Sequence, residues 1–480
     1  DEAQDTSKIQ HAIIALLASG SENLFMVGDE DQSIYGFRAA YPEALLTFEK
    51  NYPDAKVLLM EENFRSDARI VLAADRFIQK NTLRHEKHMK AARKPASDIR
   101  EISLRSRKAQ YTYLAKLAEG CTSQTAILYR DNECILPLVD LLERNGIPYQ
   151  MRNAELSFFS HRTILDIINI IKLAQNPMDT EAFLQIYYKI GTYLRKQDAI
   201  RIARISEEKR IPVLDVAAED PDLNGHVLGS VRSMRTHLQN LLQDSGERAL
   251  YRIMQYMGYQ EYLNRSGLSD SKLEILRILG SRADSPMELA ERLEQLKVLI
   301  REKEPDRKCP LILSTIHASK GLEYDSVYLI DVADGILPES IPQNLHQASA
   351  EELKAYEEER RLFYVGVTRA KAHLTLFTTN RPSTFCSEFL GKSSVTEEGR
   401  KNLMPVESRI SRTFKQARPY AAVAGIRQTK ASEELYFRLK EELGTGVIVE
   451  HKKYGEGVVT QLDDRLVHIM FQDDTLRMMD

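Results

Sequence analysis

Residues 24–38 read LFMVGDEDQSIYGFR, a short apolar run that breaks at Gly-Asp into acids, Gln32 and two aromatics. An apolar run of this length ending in a turn signal predicts a buried strand, 24–27, leading into a loop. The same grammar recurs along the chain. Further strands are expected at Lys56–Met60, Thr125–Tyr129, Leu311–Ser314, Ser326–Asp331 and His373–Thr378. Helical spacing separates them at residues 8–18, Ile135–Asn145 and Ile164–Ala174. Strands and helices in alternation predict an α/β fold with a parallel sheet. From about Pro177 to Pro305 strand signals stop while Leu, Ile and Arg recur at helical spacing, which predicts an all-α insertion.

Composition agrees with a globular chain: 480 residues, 43% hydrophobic and 28% charged, a length that suggests about three domains. A net charge of −4 excludes a wholesale polycation, although local patches can still bind phosphate. The four cysteines form no CxxC pair, as expected of reduced thiols in a cytoplasmic protein. No apolar run approaches membrane-spanning length and no signal-peptide pattern leads the chain, so no membrane partner is expected. His85-Glu86-Lys87-His88 resembles a zinc motif, but its histidines are three apart rather than four, and no metal is expected there. Residues 401–430 carry seven Lys/Arg against one Glu and read as a flexible basic linker. The end alternates apolar and polar residues, with turns expected at 454–457 and 463–464, and reads as a small antiparallel β module.

Four stretches carry chemistry: GDEDQSIYGFR (28–38), MEENFRS (60–66), TIHASKGLEYDSVYLID (315–331) and EEERRLFYVGVTRAK (357–371). Singly, each has a structural alternative, such as a capped helix start for Asn-Phe-Arg or a helix surface for Thr-Arg-Ala. In this order, each at an expected strand end and preceded by DEAQD (1–5), they resemble the UvrD/PcrA/Rep-like superfamily 1 DNA helicases over roughly residues 1–390. The resemblance implies RecA-like parallel-sheet domains of the P-loop NTPase type. The expected order is 1–62, the remainder of a first RecA-like domain; 63–176 and 306–395, a second one; 177–305, the helical insertion; 396–435, the basic linker; and 436–480, a Tudor-like β module.

It also implies ATP and Mg2+ as cofactors. Asp1 matches the magnesium ligand and Glu2 the base that polarises water; a cation and an activated water need two carboxylates side by side. Gln32 matches a γ-phosphate sensor, and Arg65 and Arg369 match arginines that reach the γ-phosphate, where a fork stabilises spread charge better than lysine. Phe64 matches the aromatic that stacks on adenine and Glu323 the carboxylate that binds ribose. Tyr35, Phe37 and Arg38 match a loop that stacks on single-stranded bases, a contact indifferent to sequence. His317, Lys320, Arg130 and Asn132 match further DNA contacts, with structural surface polarity as the alternative.

The chain departs from the family at three points. Phe37 stands where Trp is usual, and the chain has no Trp. KIGTYLRKQD (189–198) lacks an Arg-Gly-Ile-Gly turn that meets duplex DNA. No G-x-x-x-x-G-K-[ST] occurs, so the phosphate-cradling loop is expected upstream of residue 1, and the chain alone is expected to hydrolyse no ATP. The implied function is an ATP-dependent 3′-to-5′ DNA helicase or translocase in repair or replication restart, cytoplasmic, acting on single-stranded DNA and single/double-strand junctions. The β module implies RNA polymerase as a partner, with a stabilising appendage as the alternative. The rival functions are a helicase–nuclease, which would end in a larger acidic domain, and a non-catalytic DNA- or polymerase-binding adaptor.

Overall fold

The computed structural model describes residues 1–20, 23–151, 157–267, 271–303, 306, 308–345, 347–381, 383–392 and four strands within 448–479. The chain divides into two compact units, Asp1–Val395 and Thr396–Asp480. In the first, a short parallel pair, β1 (Glu62–Asn63) and β2 (Lys90–Ala91), precedes the main sheet. That sheet comprises β3 (Arg100–Leu104), β4 (Thr125–Tyr129), β5 (Gln150–Met151), β6 (Leu311–Thr315), β7 (Tyr324–Leu329) and β8 (Ala370–Thr379). All its pairs are parallel, in the order β3-β8-β7-β4-β6-β5. β4 and β6 are buried at every position, as expected of central strands covered by helices on both faces.

One face packs on the helices Ala68–Ile78, Ala350–Val367 and Thr384–Phe389, where Phe77, Phe363 and Phe385 meet edge-on or tilted. Ser349 and Glu352 cap the second of these helices reciprocally, satisfying backbone donors that the first turn leaves free. The other face shares one continuous core with the helix Arg162–Gln175 and the helices that follow as far as Glu302. Between 177 and 303 every described element is helical.

Sequence and structure part company at four places. The edge strand β3 reads REISL, too polar for an apolar-run search. β7 begins and ends two residues before the expected 326–331, and Asp331 instead turns through left-handed backbone at φ 56°. Neither 24–27 nor Lys56–Met60 is a strand. Both runs are apolar, but a strand needs a ladder of partners for its backbone N–H and C=O groups; among the described residues neither run joins one, and a single bond from Ala3 N to Val27 O does not make a ladder. Phe25, Leu58 and Met60 are more than 80% exposed. The helix Lys8–Ala18 has a Ser7/Gln10 capping box yet buries no residue; Ile9, Leu16 and Leu17 lie on the surface beside solvent.

In the second unit β9 (Ile448–His451), β10 (Gly455–Leu462), β11 (Val467–Phe471) and β12 (Leu476–Met479) form an antiparallel meander. The turn expected at 454–457 is corrected: Gly455, Glu456 and Gly457 are already in β10, paired with His451, Glu450 and Val449 of β9, and that ladder takes up their backbone groups. The expected linker at 401–430 and the turn at 463–464 lie outside the described residues.

Candidate nucleotide and nucleic-acid site

The segment 1–5 and the loop 28–33 are stitched together before either can meet a ligand. Ala3 N donates to Val27 O at 3.0 Å and Asp29 N to Gln4 Oε1 at 3.0 Å, while Gln4 Nε2 donates to Glu2. Glu2 itself is exposed and sits in left-handed backbone. Asp1 is exposed beside it. Lys320 arrives from the loop after β6, its Nζ 2.5 Å from Asp5 Oδ2, 2.8 Å from Gln32 O and 3.3 Å from Glu2 Oε2. Its ammonium thus faces the acids, with the Tyr35 ring 5.4 Å away on the other side.

Gln32 is held from both ends. Its Nε2 donates to Asp29 Oδ2 at 2.7 Å, and its Oε1 accepts from Arg369 Nη2 at 3.3 Å. Arg369, 1% exposed, lies between the helix Ala350–Val367 and β8, immediately before the strand. Its other bonds go to Val365 O at 3.0 Å, Leu322 O at 3.2 Å and Thr368 Oγ1 at 3.3 Å, all neutral acceptors. None of the described carboxylates pairs with it. Burial, and then the charge of Arg65, pull its guanidinium down to about 10, still protonated at neutral pH. A buried cation without a carboxylate is costly unless an anion completes the site. Arg65 donates from Nε to Glu323 Oε2 at 3.0 Å, and Lys371 lies 2.9 Å from Asp325. Phe64 is exposed, its carbonyl accepting from Arg93 at 2.9 Å. The structure therefore brings Glu2 and Gln32 to Lys320 and Arg369 to the Gln32 side chain, with Arg65, Glu323 and Phe64 on the loops alongside.

A second cluster is aromatic. Tyr35, Phe37 and His317 lie with ring centroids 5.6–6.0 Å apart, and Arg38 stacks 5.1 Å from Tyr35 and 5.5 Å from Phe37. Tyr35 Oη donates to His317 O at 3.1 Å, tying the loop 33–38 to the loop after β6. A Cβ at Gly36, between the aromatics, would displace the Glu358 carboxylate that accepts from its amide at 2.8 Å. Phe37 is 69% exposed. Burial, followed by the charge of Arg130, lowers the basicity of His317, so the ring is neutral at pH 7.

Arg130 and Asn132 sit behind this cluster. Arg130 commits its donors to Glu359 at 2.5 Å, Glu339 at 2.7 Å and Asp131 at 3.1 Å. Asn132 Oδ1 is buried without a protein partner. In the segment 189–198, Lys189 is buried against Asp166, and Tyr193 is exposed in left-handed backbone. Sequence reasoning missed the contacts of Lys320 with Asp5 and Glu2. No local spacing signals them, because Asp5 lies 315 residues away in the chain.

Residues 58–381 match the family model described as UvrD-like helicase C-terminal domain, and residues 1–53 match the UvrD/REP helicase N-terminal domain. The putative ATP-dependent DNA helicase YjcD of Bacillus subtilis (strain 168) is 31% identical over 393 residues, covering 78% of this chain and 50% of the relative. ATP-dependent DNA helicase PcrA of Staphylococcus epidermidis is 28% identical over 500 residues, covering 97% of this chain and 66% of the relative. PcrA of Staphylococcus aureus (strain NCTC 8325 / PS 47) is 26% identical over 502 residues, with the same coverage. The chain thus spans between half and two thirds of the length of these curated relatives. With one of the two models covering most of the chain, and with all four motifs converging on the two clusters above, the chain belongs to the UvrD-like helicase family.

Proposed function

We propose that this chain is the latter part of an ATP-dependent 3′-to-5′ DNA helicase that acts on single-stranded DNA and its junctions with duplex, in repair or replication restart. One observation carries it: Arg369 is buried with no carboxylate partner among the described residues, beside Gln32 and near Arg65. Those side chains suit a transferred phosphoryl group, for which positioning and charge stabilisation are most of the catalysis. Asp1 and Glu2, adjacent and exposed, suit Mg2+, which keeps several waters and takes one or two carboxylates plus phosphate oxygens. The metal would neutralise charge on the phosphates. Glu2 would accept a proton from the attacking water, Gln32 would orient that water, and Arg65 and Arg369 would hold the γ-phosphoryl oxygens. Phe64 would stack on adenine and Glu323 would bind ribose.

Because no G-x-x-x-x-G-K-[ST] occurs in these 480 residues, the phosphate-cradling loop is assigned to a part of the protein outside them. The exposed apolar residues Ile9, Leu16, Leu17, Phe25, Leu58 and Met60 support this assignment, since such a face suits cover by further sheet. The test is phosphate release with and without single-stranded DNA, by the complete protein and by the 480-residue chain. Stimulated turnover is expected from the first and none above background from the second. Stimulated turnover by the chain alone, lost in Glu2→Gln, would refute the assignment of the loop; none from the complete protein would point to an adaptor.

Tyr35, Phe37 and Arg38 would contact the translocated strand, with His317 supporting the cluster. Lys320 and Arg130 are occupied by carboxylates and would act on DNA only indirectly, through Tyr35 and His317 respectively, while Asn132 would lie behind them. Phe37→Ala is expected to weaken single-strand binding by about 1–3 kcal/mol, the range for one stacked base, with thermal stability unchanged. Lost stability with full affinity would make Phe37 a packing residue.

The antiparallel module at the C-terminus would be Tudor-like and dock on a protein such as RNA polymerase. Residues 444–480 hold four Lys/Arg against seven Asp/Glu, which disfavours phosphate contacts. Residues 431–480 should therefore retain RNA polymerase in a pull-down; tight, salt-sensitive DNA binding by that piece would argue the opposite.

A further inference from the structure

The segment Arg84–His88, rejected as a zinc motif by its spacing, grips the acidic loop 29–31. Lys87 Nζ lies 2.7 Å from Asp29 Oδ1, 3.0 Å from Glu30 Oε1 and 3.4 Å from Asp31 Oδ2. Arg84 holds Asp31 through Nε at 3.0 Å and Nη2 at 2.8 Å, and donates from Nη1 to Gln79 Oε1 at 2.5 Å. The amide of His85 donates to Glu30 Oε1 at 2.8 Å, with its ring Nδ1 3.3 Å from the same oxygen. Glu30, Asp31 and Arg84 are almost fully buried. Buried carboxylates would not stay ionised in such a place without these cations. Burial would raise the Glu30 carboxyl, but Lys87 and the His85 amide together bring it below its ordinary value.

What the grip controls is the next residue. Asp29 accepts from Lys87 with one oxygen and from Gln32 Nε2 with the other, and Gln32 in turn accepts from Arg369. A line of charge-assisted contacts therefore runs Lys87–Asp29–Gln32–Arg369. It also crosses a boundary: residues 29–32 fall in the N-terminal helicase match and residues 84–87 in the C-terminal one. The connecting chain from 53 to 61 has no ladder of its own, so it cannot set the register between the two sides.

We propose that Arg84 and Lys87 are positioning residues, a two-cation clasp from the C-terminal helicase domain that holds Asp29–Asp31 of the N-terminal one and so keeps Gln32 aligned with Arg369. The clasp rests on the helicase reading for its catalytic consequence, but not for its existence. Being buried, it resists screening by salt where a surface pair would not.

The test compares Lys87→Met, Lys87→Arg, Gln32→Ala and the Gln32→Ala/Lys87→Met double variant in the complete protein. Lys87→Met should lower kcat for ATP about tenfold, with KM and single-strand Kd held within about twofold, and Lys87→Arg should restore most of it. The double variant should be no slower than Gln32→Ala, because Lys87 acts through that side chain. Losses that multiply in the double variant, or an unchanged kcat, overturn the proposal. Amide exchange over residues 29–33 of the 480-residue chain is the readout that needs no turnover. It should quicken about tenfold in Lys87→Met while the main sheet stays protected, as expected of a local opening. Unaltered exchange overturns the clasp even where turnover is normal, whereas a wild type without DNA-stimulated turnover sinks the helicase reading and leaves exchange to decide the clasp. If Lys87→Met does not fold, Arg84→Lys carries the same two readouts, keeping the charge while losing the fork on Asp31.

Discussion

Arg369→Ala in the complete protein should lower the DNA-stimulated kcat for ATP by about 10³-fold or more, the scale on which such arginines act in phosphoryl transfer. Arg65→Ala should do the same, with single-strand affinity little changed in both. Arg369 is fixed before any nucleotide arrives: Val365 O, Leu322 O and Thr368 Oγ1 orient its fork, so little reorganisation is needed when charge develops opposite it. Lysine at 369 should not rescue turnover, because a point charge cannot take two oxygens from one planar group. Stability should move the other way. Among the described residues Arg369 has only neutral partners, so Arg369→Met should unfold no earlier than wild type on heating. Steady-state ATPase at saturating single-stranded DNA, beside a thermal melt, measures both; a variant retaining half its turnover removes that arginine from the site.

The largest loss of stability is expected at Arg107, which lies outside the four motifs while its partner Asp331 closes the third of them. Its Nε and Nη2 hold Asp331 at 2.9 and 2.6 Å, and Gln110 exchanges two further hydrogen bonds with the same aspartate. Asp331 is 1% exposed and left-handed at φ 56°, at the point where β7 ends. Arg107 Nη1 also reaches Glu274 on the helix Ser271–Gly280, which ties the helical insertion to the sheet. Arg107→Met strands the buried carboxylate, at about 3–5 kcal/mol. Asp331→Asn added to it should recover most of that loss, since a neutral amide keeps a Gln110 contact and tolerates left-handed backbone. Urea denaturation of the two variants decides: a cost below about 1 kcal/mol for Arg107→Met would place this pair with ordinary surface ion pairs.

Local patterns carried the central sheet. β4 and β6 are apolar throughout because helices cover both faces, and that run is visible without knowing the neighbours. β3 was not visible, because an edge strand needs only enough apolar residues for one partner and REISL has few. Residues 24–27 and 56–60 were misread for the converse reason. Their apolar character is real, but a strand is a property of a pair, and among the described residues neither run has a ladder partner.

By itself the sequence determined the family, the parallel sheet and the helical stretch between its strands, because residue types and short spacings are local properties of the chain. Only the tertiary structure decided where the charges go. Lys320 meets Asp5 across 315 residues, Arg65 meets Glu323 across 258, and Arg130 meets Glu359 across 229. Partners that distant are chosen by how the sheet brings its loops to one edge and by the cost of leaving any buried charge alone, and neither is written in the spacing of residues.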